Sequence, residues 1–189
     1  MEKTEKSIVL IGFMGVGKTT VGELIATKLN RRFIDIDEEI VKSFGMPVTE
    51  IFSVYGEKAF REKEKQLIKE LIKHNGNILS LGGGAFLQEE IRNACLSDSI
   101  VIFLHLSWDC WKDRISLLID SRPVLQGRTM EEIDELFNNR QTIYKQHHVK
   151  INTDHKTPDD TADFIIEWLD VNKDGLRNEF FENKKCNNR

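Results

Sequence analysis

Short runs of aliphatic and β-branched residues alternate along this 189-residue chain with longer stretches in which apolar side chains recur every three or four positions. The runs predict buried strands at 8–11, 33–36, 78–81 and 100–106, and a weaker one at 149–153. Between them the helical period predicts helices over about 19–29, 57–73, 89–95, 108–119 and 130–147, with another opening at Glu38; Pro158 opens a last one through 169. Strands separated by helices at βαβ spacing predict an α/β fold, a parallel sheet with helices on both faces. From 172 to 189 the chain is polar and rich in Asn and Lys, which predicts a loosely attached or disordered tail behind a single domain over 1–171.

The first strand runs straight into Gly12-Phe13-Met14-Gly15-Val16-Gly17-Lys18-Thr19, a complete G-x-x-x-x-G-K-[ST]. A phosphate loop needs a buried strand to deliver the chain and a helix to receive it, so that backbone N–H groups converge on the phosphates. Both flanks are present, since Val21, Leu24, Ile25 and Leu29 follow helical spacing. The segment from Gly12 through Met14, Gly15, Val16 and Gly17 to Thr20 is therefore a candidate ATP cradle. Lys18 would reach the β- and γ-phosphates, and Thr19 would place its hydroxyl on Mg2+. A turn that binds nothing has no use for a lysine and a hydroxyl directly after its last glycine. A secretory signal is also a poor reading, because Glu2 and Glu5 dilute the basic start and Lys18 follows where cleavage would fall.

Composition narrows the partners. The formal charge is −4 and no basic stripe stands out, which argues against nucleic acid. No apolar stretch approaches the length of about 20 residues that spans a bilayer, so no membrane association is expected. Cys95, Cys110 and Cys186 are too scattered for a metal or redox motif and too few for a disulfide framework, as expected in the cytoplasm.

A triphosphate site serves GTPases, motors and kinases alike. The nearest match to a guanine-reading N-K-x-D is Asn172-Lys173-Asp174-Gly175, which has glycine in place of the second acid, and no D-x-x-G switch exists. A small kinase needs an acceptor pocket, a cationic lid that excludes water, and groups that orient one hydroxyl for in-line attack. In Phe33-Ile34-Asp35-Ile36-Asp37, strand alternation would put Asp35 and Asp37 on one face at the carboxyl end of a strand, where open α/β sheets bind ligands. One carboxylate could hold Mg2+ and the other a substrate hydroxyl; Asp37 could equally cap the following helix. Arg61, in Phe60-Arg61-Glu62-Lys63-Glu64, is either a binding cation or a solvated partner of Glu64. Gly82-Gly83-Gly84 follows the third strand and would expose backbone N–H groups to a ligand, although a bare turn accounts for one or two of them. Ser121-Arg122-Pro123-Val124-Leu125 lies between two helices, and Arg140 sits on the second.

Together GFMGVGKTT, FIDID, FREKE, LSLGGG, SRPVL and the pair Arg140 and Tyr144 resemble the shikimate kinase family, in order and approximate spacing, over residues 6–171. The resemblance implies a three-layer P-loop kinase fold of the nucleoside-monophosphate-kinase type, with five parallel strands in the order 2-3-1-4-5. It implies Mg2+-dependent transfer of the γ-phosphate of ATP to the 3-hydroxyl of shikimate, and a monomer. Carried across by position, Asp37, Arg61, Gly82, Gly83, Gly84 and Arg140 would bind shikimate. Thr19 and Asp35 would hold Mg2+, Lys18 and Arg122 would meet the transferring phosphoryl group, and Asp37 would take the hydroxyl proton. Arg114, Lys156 and Thr157 would flank the adenine. The acceptor-binding region would span about 37–64 and the lid about 114–128. Phe52 and Phe60 match aromatic positions of the acceptor pocket and read equally well as core. Two positions depart from the pattern: the stretch 114–121 is more apolar than the family's polar lid, and Val124 stands where the family has Leu. A gluconate or nucleoside-monophosphate kinase, or a silent nucleotide-binding module, are the rival readings.

Overall fold

The computed structural model describes residues 6–74, 76–113, 125 and 127–172. Five strands, β1 (Ile8–Ile11), β2 (Phe33–Asp35), β3 (Ile78–Ser80), β4 (Ile100–His105) and β5 (Val149–Asn152), form one parallel sheet in the order β2-β3-β1-β4-β5. The central strands β1 and β3 are buried at every position, and β4 at all but its last. A strand covered on both faces has no reason to alternate, so these segments read as continuous aliphatic runs. The edge strand β5 alternates, burying Ile151 between exposed neighbours, which is why its signal in the sequence is weaker.

The flanking helices are α1 (Lys18–Leu29), α2 (Ile36–Phe44), α3 (Val48–Lys73), α4 (Glu89–Asp98), α5 (Trp108–Lys112), α6 (Met130–Tyr144) and α7 (Pro158–Val171), with a 3-10 turn at Ala85–Leu87. Lys28 ties α1 to α7 through Asp159 at 2.9 Å and Asp163 at 2.5 Å. Among the described residues no helix is long and apolar enough to cross a membrane.

Two sequence expectations need correction. The second strand stops at Asp35 and Ile36 already belongs to α2, because the Asp35 carboxylate accepts hydrogen bonds from the backbone N–H groups of Asp37 and Glu38 and so starts a helix there. The cap is therefore Asp35 and not Asp37. The third helix begins nine residues earlier than its clear periodicity, at Val48, and bends at Gly56, whose φ of 79° and ψ of 160° break the helical period. Of the fifth predicted helix the structure describes Trp108–Lys112; the remainder, with most of the lid segment and the tail beyond Asn172, falls outside the described residues.

In this strand order β1 sends the chain to one side through β3 and β2, while β4 and β5 lie on the other. The reversal opens a crevice at the carboxyl end of β1, the place where open α/β sheets hold ligands.

Candidate active site

At the carboxyl end of β1 the backbone turns at Gly12, with φ at 146°, so closely against β4 that a Cβ there would collide with the Leu104 carbonyl oxygen. The loop then delivers Gly17 as the N-cap of α1, which has no side-chain cap and no acidic residue in its first turn. By contrast α2 is capped by Asp35, while α6 and α7 carry complete capping boxes from Thr129 and Thr157. The open N–H groups and dipole of α1 thus suit an anion. Lys18 Nζ folds back onto the carbonyls of Gly12 and Phe13 at 2.9 and 3.0 Å. Next to it Thr19 Oγ1 donates to Asp35 Oδ2 at 2.9 Å, so a hydroxyl and a carboxylate converge as hard oxygen donors.

These residues line one wall of a cavity of about 280 Å3 bounded by Met14, Gly15, Gly17, Lys18, Thr19, Thr20, Asp35, Asp37, Ser80, Leu81, Gly82 and Gly83. The phosphate loop and both aspartates are thereby brought together. Strand alternation is not what unites the two acids: Asp35 caps α2 and Asp37 stands in its first turn.

Gly82 and Gly83 of the glycine triplet also line this cavity, and the triplet is there for a reason other than backbone freedom. None of the three has positive φ. Instead a Cβ on Gly82 would stand 2.5 Å from Asp37 Oδ1, one on Gly83 2.8 Å from Arg140 Nη1, and one on Gly84 2.7 Å from Arg61 Nη2. Each missing side chain makes room for one polar group arriving from α2, α6 or α3.

Arg61 is locked from behind. Its Nη1 meets Glu64 at 2.9 Å and its Nη2 meets Glu57 at 3.2 Å, while the guanidinium covers the Phe60 ring. Burial pushes the Glu64 carboxyl up, against the opposing pull of Arg61 and of the Gln88 amide, which donates at 2.7 Å. Arg140 lies differently. Its Nε and Nη1 are buried without hydrogen-bond partners, its charge rests 5.5 Å from the Phe13 ring centre, and burial pulls its pKa down. Tyr144, one turn on, donates its hydroxyl to the Gly83 carbonyl at 3.0 Å, and burial pushes its pKa up to about 12. A buried guanidinium with two unanswered donors beside a second arginine has the donor set that a small carboxylate would answer.

Gln88 and Phe13 act by tertiary contact and carry little signal of their role in the sequence, whereas the three-residue step from Arg61 to Glu64 and the four-residue step from Arg140 to Tyr144 each hint at a pair. Phe60 is core, buried against Phe52 at 4.9 Å, whereas Phe52 keeps 37% of its surface exposed. At the expected adenine side, the Thr157 hydroxyl is engaged with Asp160 in a capping box, and Lys156 Nζ lies 4.7 Å from the Phe164 ring centre. Arg114 and Arg122 lie outside the described residues. A depression of about 400 Å3 at the far end of α1, lined by Glu23, Asn30, Arg31 and Phe33, holds none of the polar candidate residues named above.

Comparison with known proteins bears on the family and the fold. The family model described as shikimate kinase matches residues 14–170. A shikimate kinase of Oceanobacillus iheyensis is 58% identical over 165 residues, 87% of this chain and 90% of that protein. One from Bacillus subtilis is 53% identical over 171 residues, 90% of this chain and 92% of its own. Among solved structures, the shikimate kinase from Acinetobacter baumannii in complex with shikimate superposes with a TM-score of 0.82 at 33% identity, covering 90% of this chain and 96% of that one. A gluconokinase from Sinorhizobium meliloti, at 19% identity and a TM-score of 0.55, shares the fold alone. Matched from the phosphate loop to the last helix by its family model and by relatives more than half identical, this chain belongs to the shikimate kinase family.

Proposed function

We propose that the protein transfers the γ-phosphoryl group of ATP to the 3-hydroxyl of shikimate, with Lys18, Asp37 and Arg122 in the chemistry and Arg61 and Arg140 on the substrate carboxylate. The observation that carries this reading is the Arg140 guanidinium, buried with Nε and Nη1 unpartnered over Gly83 and within the influence of Arg61. A planar carboxylate answers such donors two at a time, which a lysine or a neutral pocket would not allow. Gluconate also carries a carboxylate, but its relative in the comparisons shares no more than fold.

Each residue has a physical task. Gly12 to Thr20 wraps the ATP phosphates, with the uncapped start of α1 facing them. Lys18 leaves its two carbonyls for the β- and γ-oxygens. Thr19 and Asp35 are the residues that would hold Mg2+; the ion supplies neutralisation of phosphate charge. Two oxygen donors suit an ion that takes its other ligands from phosphate and water, and among the described residues no cluster of three or more His, Cys, Asp or Glu side chains competes for it. Asp37, lining the cavity beside Gly82, accepts the substrate hydroxyl and takes its proton as attack proceeds. By family resemblance, Arg122 on a lid over about 114–128 closes on the phosphoryl group, Arg114, Lys156 and Thr157 flank the adenine, and about 37–64 is the acceptor-binding region. We further propose a cytoplasmic monomer with a single domain over 1–171; among the described residues Cys95 and Cys110 are free of disulfides.

The test is ADP release with Mg·ATP against shikimate, gluconate and nucleoside monophosphates. Turnover with shikimate alone is expected; turnover on gluconate, or none with shikimate from folded protein, overturns the reading.

A further inference from the structure

Three successive carbonyls of the phosphate loop are held by side-chain donors. Lys18 takes those of Gly12 and Phe13. The third, on Met14, accepts the indole Nε1–H of Trp111 at 2.7 Å. Trp111 comes from α5, is fully buried, and was no part of any motif in the sequence.

The direction of this bond matters. The peptide joining Met14 to Gly15 is trans, so its C=O and N–H point opposite ways. Fixing the Met14 oxygen on Trp111 turns the Gly15 N–H away from α5, and Gly15 lines the cavity. The two donors also differ in kind. Lys18 is a charge on a flexible stem that has phosphate to move to. Trp111 has one donor and no competing acceptor, and it is clamped by a stacked Trp108 at 5.2 Å and by edge contact with Phe13 at 5.1 Å. The same Phe13 ring lies beneath Arg140. A single aromatic cluster therefore touches the loop that faces ATP and the cation that faces the acceptor.

We propose that Trp111 is a positioning residue for the nucleotide: its indole N–H holds the Met14 carbonyl, and with it the phosphate-facing set of the loop, when Lys18 leaves for ATP. The proposal rests on 12–19 being the ATP phosphate loop.

Trp111→Phe keeps a ring in the cluster and removes the donor. The KM for Mg·ATP and the Kd for ADP are expected to rise about fivefold, the size of one lost hydrogen bond, with the KM for shikimate within about twofold of wild type. An unchanged KM for ATP, or equal rises for both substrates, overturns the proposal, because a purely structural role has no preference for one ligand. If Trp111→Phe does not fold, the wild-type protein decides. Its Trp111 indole N–H signal in a proton–nitrogen correlation spectrum, assigned with Trp108→Phe and Trp168→Phe, is expected to shift with ADP and to stay put with shikimate alone. A signal unmoved at saturating ADP overturns the proposal. Failure of the wild type to bind ADP at all would instead overturn the reading of the loop.

Discussion

Arg140 carries the proposed contact to the acceptor. Its cation is buried over Phe13 and Gly83 with Nε and Nη1 unanswered, an arrangement that costs stability until an anion arrives. Removing it should cost binding of one substrate: Arg140→Ala is expected to raise the KM for shikimate by about 100-fold, at the scale of a lost charge-assisted pair, and to leave the KM for ATP within about threefold. Steady-state kinetics with each substrate varied checks this; equal effects on both would remove Arg140 from the acceptor site. Asp37→Asn keeps the shape but not the base, and should lower kcat by about 100-fold or more while the Kd for ADP, from direct titration, stays level. A collapse of ADP binding would move Asp37 to the metal. Arg61, Arg140 and Asp37 were all legible in the sequence. The glycine triplet was legible for an incomplete reason, since the space it leaves for these three side chains is visible only when α2, α3 and α6 are in place.

Helix starts and bends were the least legible features. In α3 the helical pattern is clear only after Gly56, and the preceding turn at 48–55 hides because its phase changes at the bend. A Cβ on Gly56 would meet nothing within 4 Å, so its cost is the backbone alone. At φ 79° and ψ 160° that conformation is nearly restricted to glycine and costs other residues about 1–3 kcal/mol. Gly56→Ala should therefore lose about that much stability in urea denaturation; no loss would mean that the bend can be straightened without penalty. At α7 the Thr157 hydroxyl serves the capping box with Asp160. Thr157→Ala is expected to lower stability by about 1 kcal/mol with the KM for ATP unchanged. A higher KM at unchanged stability would make the hydroxyl a nucleotide contact.

Stability of the whole molecule is linked to its site through Glu64. This carboxyl is buried behind Arg61, and burial holds its pKa above the ordinary 4.5. The folded state therefore keeps this proton at a pH where the unfolded chain has released it, and stability falls as pH rises through that window. Wild type minus Glu64→Gln, compared by chemical denaturation over a pH series, should decline from about pH 4 upward; a difference that grows with pH would reverse the sign of the shift. Filling the acceptor pocket works the other way. Shikimate at one hundred times its Kd should add about 2.7 kcal/mol, a Tm rise of about 5–10 °C for a chain of this size, and in Arg140→Ala the same concentration should add only about 0.4 kcal/mol.

The alternation of strands and helices, the phosphate loop and the cast of polar residues were determined by the sequence, because each depends on local pattern: short continuous aliphatic runs for the buried strands, a period of 3.6 for helices, eight residues for the loop. Short aliphatic runs read correctly because β1, β3 and β4 are covered on both faces. Folding alone settled which donors are satisfied and which are left open. Asp35 rather than Asp37 became the cap because Asp35 stands where β2 turns into α2. Glu64 and Gln88 fasten Arg61 while Arg140, one helix away, keeps two donors open. Trp111 reaches Met14 across 97 positions of sequence. The contacts of Gln88 with Glu64 and of Trp111 with Met14 join residues that no local period relates, whereas Arg61 and Glu64 are neighbours on one turn of α3; the distant pairs exist only once the sheet order has brought their elements to the same end of β1.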